Sequence, residues 1–122
     1  QRLVRKLCTI CIGSEDIDQS SKKILEEQAR QLNLELKELP HTIYKSKGCA
    51  VCNFTGYKGQ IAIFETLYIS EGIRNLIIAN APTHVLRKKA REEGMQTLFE
   101  DGLEKVSSGF TSLEEVLRVA SE

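Results

Sequence analysis

The sequence has no tryptophan, a single methionine and only two prolines among its 122 residues. It has no apolar run near the ~20 residues that a membrane-spanning helix needs, so no membrane span is expected. Basic and acidic residues balance at 17 each. That balance removes the global positive field with which proteins hold nucleic-acid backbones, and no nucleic-acid partner is expected. No G-x-x-x-x-G-K-[ST] phosphate loop occurs, and Gly56-Tyr57-Lys58-Gly59 is no substitute. These residues alone are therefore not expected to hydrolyse a nucleotide. No leader-like apolar segment is present either, which fits a reducing, cytoplasmic setting better than a secreted one.

What the chain does have is four cysteines in two pairs, Cys8-Thr9-Ile10-Cys11 and Cys49-Ala50-Val51-Cys52, with 37 residues between the pairs. A C-x-x-C turn puts two sulfurs on one side of a tight loop. Two such turns face to face offer four thiolates at the corners of a tetrahedron, the arrangement Zn²⁺ prefers at about 2.3 Å per Zn–S contact. Gly13 and Gly48 flank the pairs and supply backbone freedom where N–H groups fold back toward sulfur. Zinc held by Cys8, Cys11, Cys49 and Cys52 is the expected site. An iron–sulfur cluster uses the same ligands and stays an alternative on ligand count. Disulfides and a thioredoxin-type pair fit less well, because the latter needs only one C-x-x-C opening a helix. A separation of 37 residues implies an insertion that folds on its own account.

The expected fold class is α+β: a zinc-stapled subdomain of short strands and one helix, then a bundle of about four short helices. Leu3, Val4 and Leu7 have helical spacing, so residues 1 to 7 read as a helix end. Residues 14 to 18 read as an acidic solvated loop, since Glu15, Asp16 and Asp18 lack the glycine and terminal glutamate of a calcium loop. Leu25, Ala29 and Leu32 mark a helix face. Leu34 and Leu36 before Pro40, and Thr42 to Lys45, read as extended. Residues 60 to 69 read as one strand covered on both sides, with Ile61, Ile63, Leu67 and Ile69 on one face and Phe64 and Tyr68 on the other. Glu65 would then need a paired, structural partner. Beyond it Ser70 caps a helix with Ile73, Leu76 and Ile77, and Pro82 opens another with Val85, Leu86 and Ala90 inward. Gly94 stops it. Thr97 and Glu100 have capping-box spacing before Phe99, Leu103, Val106 and Phe110, with Gly102 a weak point and Gly109 a stop. Ser112 and Glu115 repeat the box before Leu113, Val116, Leu117 and Ala120.

Other candidates carry less. Arg87, Lys88, Lys89 and Arg91 precede Glu92 and Glu93 and read as a solvated helix face. His41 and His84 have no nucleophile motif nearby. Phe54 and Tyr57 are expected to pack beneath the metal loop. Lys6, Lys45, Lys47 and Lys58 are placed to offset the formal −2 charge of a zinc tetrathiolate.

Several motifs, in order, carry a family resemblance. Gln1-Arg2-Leu3-Val4-Arg5 precedes a C-x-x-C, and Gly48-Cys49-Ala50-Val51-Cys52 precedes Thr55-Gly56-Tyr57-Lys58-Gly59. Arg91-Glu92-Glu93-Gly94-Met95, Thr97-Leu98, Glu100-Asp101-Gly102-Leu103 and Thr111-Ser112-Leu113-Glu114-Glu115-Val116 follow. Together they resemble the C-terminal region of the type II secretion and type IV pilus assembly ATPases. The resemblance implies that a RecA-like domain binding ATP and magnesium lies upstream, and that the cysteines are zinc ligands in one subunit of a hexameric motor. It implies residues 1–7 as the end of the RecA-like core, 8–58 as the zinc subdomain, 59–69 as a returning strand and 70–122 as a helical subdomain. Its implied partners are the upstream domain, neighbouring subunits and inner-membrane platform proteins, on the cytoplasmic side of the membrane. Gln60 and Ala62 depart from the family's usual arginine and glycine, and no proline follows Cys8. The alternative is a stand-alone zinc-ribbon module that binds protein or nucleic acid.

Overall fold

The computed structural model describes residues 1–32 and 40–120. Its strands form two antiparallel pairs. β1 (Arg2–Leu7) lies against β4 (Tyr57–Ile63), with Arg2 opposite Ile63 and Val4 opposite Ile61. β2 (Ile12–Asp16) lies against β3 (Thr42–Ser46), with Ile12 opposite Ser46 and Asp16 opposite Thr42. One cysteine pair thus occupies the passage from β1 into β2, and the other the return from β3 into β4. Helix α1 (Gln19–Gln31) connects β2 to β3. After β4 come α2 (Glu71–Ile78), α3 (Thr83–Glu92), α4 (Leu98–Ser107) and α5 (Leu113–Ala120), so the α+β class and the four later helices stand as expected.

Residues 1 to 7 are a strand, not a helix end. The ladder register shifts between Arg5 and Leu7, and this irregularity lets Val4 and Leu7 both turn inward at a spacing of three. That spacing imitates a helical face. The acidic stretch from residue 14 is likewise no loop: Ser14, Glu15 and Asp16 pair with β3 while their side chains face water, so alternation with apolar residues is missing. The returning strand begins at Tyr57 and stops at Ile63, where Asp101 Oδ2 accepts the Phe64 N–H at 2.8 Å. Phe64, Leu67, Tyr68 and Ile69 are exposed, which overturns the strand covered on both sides. Glu65 is solvent-exposed and so needs no buried partner. Leu34 and Leu36 lie outside the described residues.

Among the described residues, the insertion's buried apolar side chains form no core apart from that of the helices. Ile17, Leu25, Ala29 and Ile43 from the insertion share one cluster with Phe99, Leu103, Val106, Leu113 and Val116 from α4 and α5. A second, smaller cluster joins Val4 and Ile63 to Val119. The first cluster thus ties together α1, β3, α4 and α5, and the second holds β1 and β4 against α5, each through buried apolar surface. Caps set the helix starts: Ser70 Oγ accepts the Ile73 N–H, and Thr97 and Glu100 form a reciprocal box. Asp18, read as loop, caps α1 through the Ser21 N–H at 2.7 Å. Phe110, expected on the inner face of α4, is 44% exposed beyond its end.

Candidate metal centre

The two C-x-x-C turns bring all four Sγ atoms within 4.8 Å of one another. Cys8 and Cys49 are 3.8 Å apart, Cys49 and Cys52 3.8 Å, and Cys11 and Cys52 3.9 Å. A regular tetrahedron with 2.3 Å arms has edges of about 3.8 Å. A disulfide would require about 2.05 Å, and all four cysteines are free. Cys8 and Cys52 are buried while Cys11 and Cys49 are half-buried, so the site sits at the surface end of the β1–β4 pair.

Backbone N–H groups turn toward sulfur as the tight loops require. Gly48 donates to Cys11 Sγ at 3.3 Å, and Cys49 and Gly56 donate to Cys52 Sγ at 3.2 and 3.3 Å. Gly48 and Gly56 manage this with φ of +96° and +81°, whereas Gly13 lies in ordinary strand geometry and contributes no such turn. The electrostatics follow these donors. The N–H groups of Ile10 and Cys11 hold the Cys8 thiol below its ordinary range. Burial works against ionising Cys52, but the Cys49 and Gly56 N–H groups and the neighbouring thiols outweigh it and hold that thiol down at about 6. Burial pushes Cys11 up to about 11 despite the Gly48 N–H. Among the described residues, the hydrogen bonds to sulfur come from backbone N–H groups rather than from lysines. Lys45 is paired with Glu15 at 3.2 Å.

A polar network runs from the knuckles into α5. Tyr57, at the exit of the second knuckle, stacks under the Arg5 guanidinium at 4.1 Å, and its hydroxyl shares a 2.7 Å hydrogen bond with Ser112 Oγ. Glu115, 2% exposed, accepts from the Arg5 backbone N–H at 2.9 Å, Arg5 Nη2 at 2.7 Å and Arg118 Nη2 at 3.0 Å. Burial opposes its charge, yet these bonds hold its carboxyl down at about 2. Thr111 Oγ1 donates to the Arg5 carbonyl at 2.7 Å. Tyr57 thus packs near the knuckle as expected, but Phe54 does not: it is 76% exposed. His41 and His84 are exposed, and Arg91 leaves the solvated run to pair with Glu100.

A family model described as type II/IV secretion system protein matches residues 1–118. The chain belongs to that family. At 42% identity this secretion-system chain is similar to the type IV pilus assembly ATPase PilB of Thermus thermophilus, over 96% of the chain and 12% of the relative. It is 34% identical to the type II secretion system ATPase E of Vibrio cholerae, over 100% of the chain and 22% of the relative. With the type IV pilus assembly ATPase TfpB of Acinetobacter baylyi the identity is 39%, over 98% and 19%. The chain therefore spans less than a quarter of these relatives' lengths. No helix among the described residues is long and apolar enough to cross a membrane.

The donor set of this family member suits one thiophilic ion. A cluster of two or four irons spreads its thiolates over several metal atoms, whereas mutual distances no greater than 4.8 Å suit a single centre. Four thiolates fill a tetrahedron, leaving no position for a substrate or an activated water. What sequence reasoning missed is the Arg5–Glu115 hub. Glu115 occupies the N3 position of a capping signature, but its carboxylate turns to the two arginines instead of the cap. Gln60 stands opposite Arg5 in the ladder.

Proposed function

We propose that this chain is the noncatalytic, zinc-stapled C-terminal part of a hexameric ATPase that powers type II protein secretion or type IV pilus assembly. The observation that carries this reading is the set of sulfur edges of 3.8 to 3.9 Å at the base of the 37-residue insertion. Cys8, Cys11, Cys49 and Cys52 are the proposed zinc ligands. Bound zinc supplies a rigid cross-link and no reactive position. The chain's own residues do the rest: Arg5, Tyr57, Ser112 and Glu115 hold the stapled end of the sheet against α5. Residues 8–58 form the metal subdomain, 59–69 return the chain to the ATPase core that residues 1–7 leave, and 70–122 form the helical subdomain. ATP and magnesium belong to the upstream RecA-like domain. Neighbouring subunits and inner-membrane platform proteins are the proposed partners, with the motor on the cytoplasmic face of that membrane.

Export or piliation by a strain whose full-length protein carries Cys49→Ser tests this reading, together with an ATPase assay on residues 1–122. Export should fall sharply, and residues 1–122 should hydrolyse no ATP with magnesium. Full export by the serine variant, or turnover by residues 1–122, would overturn it.

A further inference from the structure

Four cysteines allow three ways of forming two bonds, and the sulfur positions do not treat the three alike. Cys8 and Cys49 are 3.8 Å apart, Cys11 and Cys52 3.9 Å, and Cys49 and Cys52 3.8 Å. Only the pairing of Cys8 with Cys49 and Cys11 with Cys52 takes both of its bonds from these three edges. Both bonds cross from one knuckle to the other, each joining residues 41 positions apart. The backbone holds the knuckles in that register. The Lys47 N–H donates to the Cys11 carbonyl at 3.3 Å, the Cys8 N–H to the Gly56 carbonyl at 2.9 Å, and Ser46 Oγ to the Cys8 carbonyl at 3.0 Å.

The four sulfurs also differ in access. Cys8 and Cys52 are 1% and 5% exposed, whereas Cys11 and Cys49 are half-buried. Cys52 Sγ accepts N–H groups from both Cys49 and Gly56, and Cys8 is held by those of Ile10 and Cys11, while Cys11 Sγ accepts the Gly48 N–H. N–H donors withdraw electron density from sulfur and make a thiolate a poorer nucleophile. Each crossed pair therefore combines one open sulfur with one covered sulfur, Cys49 with Cys8 and Cys11 with Cys52. A small oxidant that reaches either open sulfur finds a second thiolate already in contact with it.

We infer that the knuckles are a redox-convertible clasp: peroxide attacks at Cys11 and Cys49, zinc leaves, and two crossed disulfides, Cys8–Cys49 and Cys11–Cys52, keep the base of the insertion closed. The Cys49 thiolate attacks one peroxide oxygen; the S–O bond forms, the O–O bond breaks, and hydroxide leaves and takes a proton to become water. The Cys8 thiolate then attacks the sulfenic sulfur; the S–S bond forms, the S–O bond breaks, and a second hydroxide takes a proton to become water. Two thiolates, one peroxide and two protons thus give one disulfide and two waters. A second peroxide does the same at Cys11 and Cys52. Each pair has to close by less than about 2 Å. Disulfide sulfurs carry no charge, so zinc loses its ligands, and a dithiol reductant restores them. Either state joins the same two turns. This inference rests on the zinc reading proposed above.

The test treats zinc-loaded full-length protein with hydrogen peroxide, reads zinc release with a chromogenic chelator and maps the knuckle peptides by mass spectrometry without reductant. Trypsin, cutting after Lys6, Lys22, Lys47 and Lys58, gives one peptide per knuckle. Zinc release is expected, with the two peptides joined to each other and fragment ions placing Cys8 on Cys49 and Cys11 on Cys52. With limiting peroxide and dimedone to trap sulfenic acid, label on Cys11 and Cys49 should exceed that on Cys8 and Cys52 about fivefold or more. Limited proteolysis within residues 8–58 should be slower in the oxidised, zinc-free protein than in protein stripped of zinc by chelator and kept reduced. Separate peptides each holding an internal disulfide, sulfonic acids without disulfides, zinc retained after the thiols are consumed, label mainly on Cys8 and Cys52, or equal proteolysis of the two zinc-free forms would overturn the inference and leave the metal site standing. Zinc content before peroxide separates the two readings, because a protein isolated without zinc overturns both.

Discussion

Arg5 and Glu115 lie 110 positions apart and meet through two hydrogen bonds, one from the Arg5 backbone N–H at 2.9 Å and one from its guanidinium at 2.7 Å. The same guanidinium lies over Tyr57, whose hydroxyl reaches Ser112 at the start of α5. One arginine therefore ties β1, the exit of the second knuckle and the last helix together. The exit of the second knuckle and the helical part are thus joined by this contact, and the insertion and the helices by the shared apolar core.

The carboxyl of Glu115 gives that contact a pH signature. Its pKa is about 2 in the fold, against about 4.3 in an unfolded chain. Because the folded value is depressed, its stabilisation is complete above the unfolded pKa and is lost as pH falls from about 4.5 toward 2. The contribution is up to about 3 kcal/mol, less whatever water screens from arginines that are 51% and 52% exposed. Urea unfolding of the wild type and Glu115→Gln should differ at pH 7, differ less at pH 3, and converge only at about pH 2 and below. Acid loss of metal affects both proteins alike, so the difference is what counts. A gap that does not change with pH would contradict this assignment.

Gly102→Ala should destabilise, although alanine is the better helix former by about 1 kcal/mol. A Cβ at Gly102 would stand 2.6 Å from Val116 Cγ1, on a fully buried residue. Overpacking of this kind costs about 1–3 kcal/mol. Adding Val116→Ala should recover part of the loss, and a double-mutant cycle measured by chemical denaturation checks it. A more stable single variant would mean that α4 and α5 pack less closely.

The glycines of the second knuckle should control metal retention. Gly56→Ala places a Cβ 2.8 Å from the Ser46 carbonyl at φ +81° and disturbs the N–H that donates to Cys52 Sγ. Gly48→Ala does the same at Cys11. Lost contacts around metal ligands typically cost about 10–100-fold in metal affinity. Competition with a chromogenic chelator should show weaker retention in both variants and unchanged retention in Gly94→Ala, a glycine with open space around it. Equal retention in all three would sink the idea.

The cysteine spacing, the caps at Ser70 and Thr97 and the faces of α4 and α5 were legible because each is a local pattern with a local cause. β1 was misread because a ladder irregularity gave Val4 and Leu7 a helical interval. β2 was hidden because its side chains are polar and only its backbone is engaged, in pairing that depends on a partner strand 30 residues on. The merging of the insertion with the helical core, and the Arg5–Glu115 contact, depend on tertiary proximity that no local window contains. Gly102 looked like a weakness in α4 and is instead the space that Val116 fills. Phe54 looked like a packing residue because aromatic side chains usually are, and only the left-handed turn at Asn53 and Phe54 reveals otherwise.

Metal content per chain tests the central claim most directly, measured by mass spectrometry on protein purified without added metal. Tetrahedral closure by Cys8, Cys11, Cys49 and Cys52 predicts about one zinc per chain and a colourless protein. Zinc should fall to near zero in the combined Cys49→Ser and Cys52→Ser variant, with a lower melting temperature. Stoichiometric iron, no metal at all, or a serine variant that keeps both its zinc and its melting temperature would contradict it.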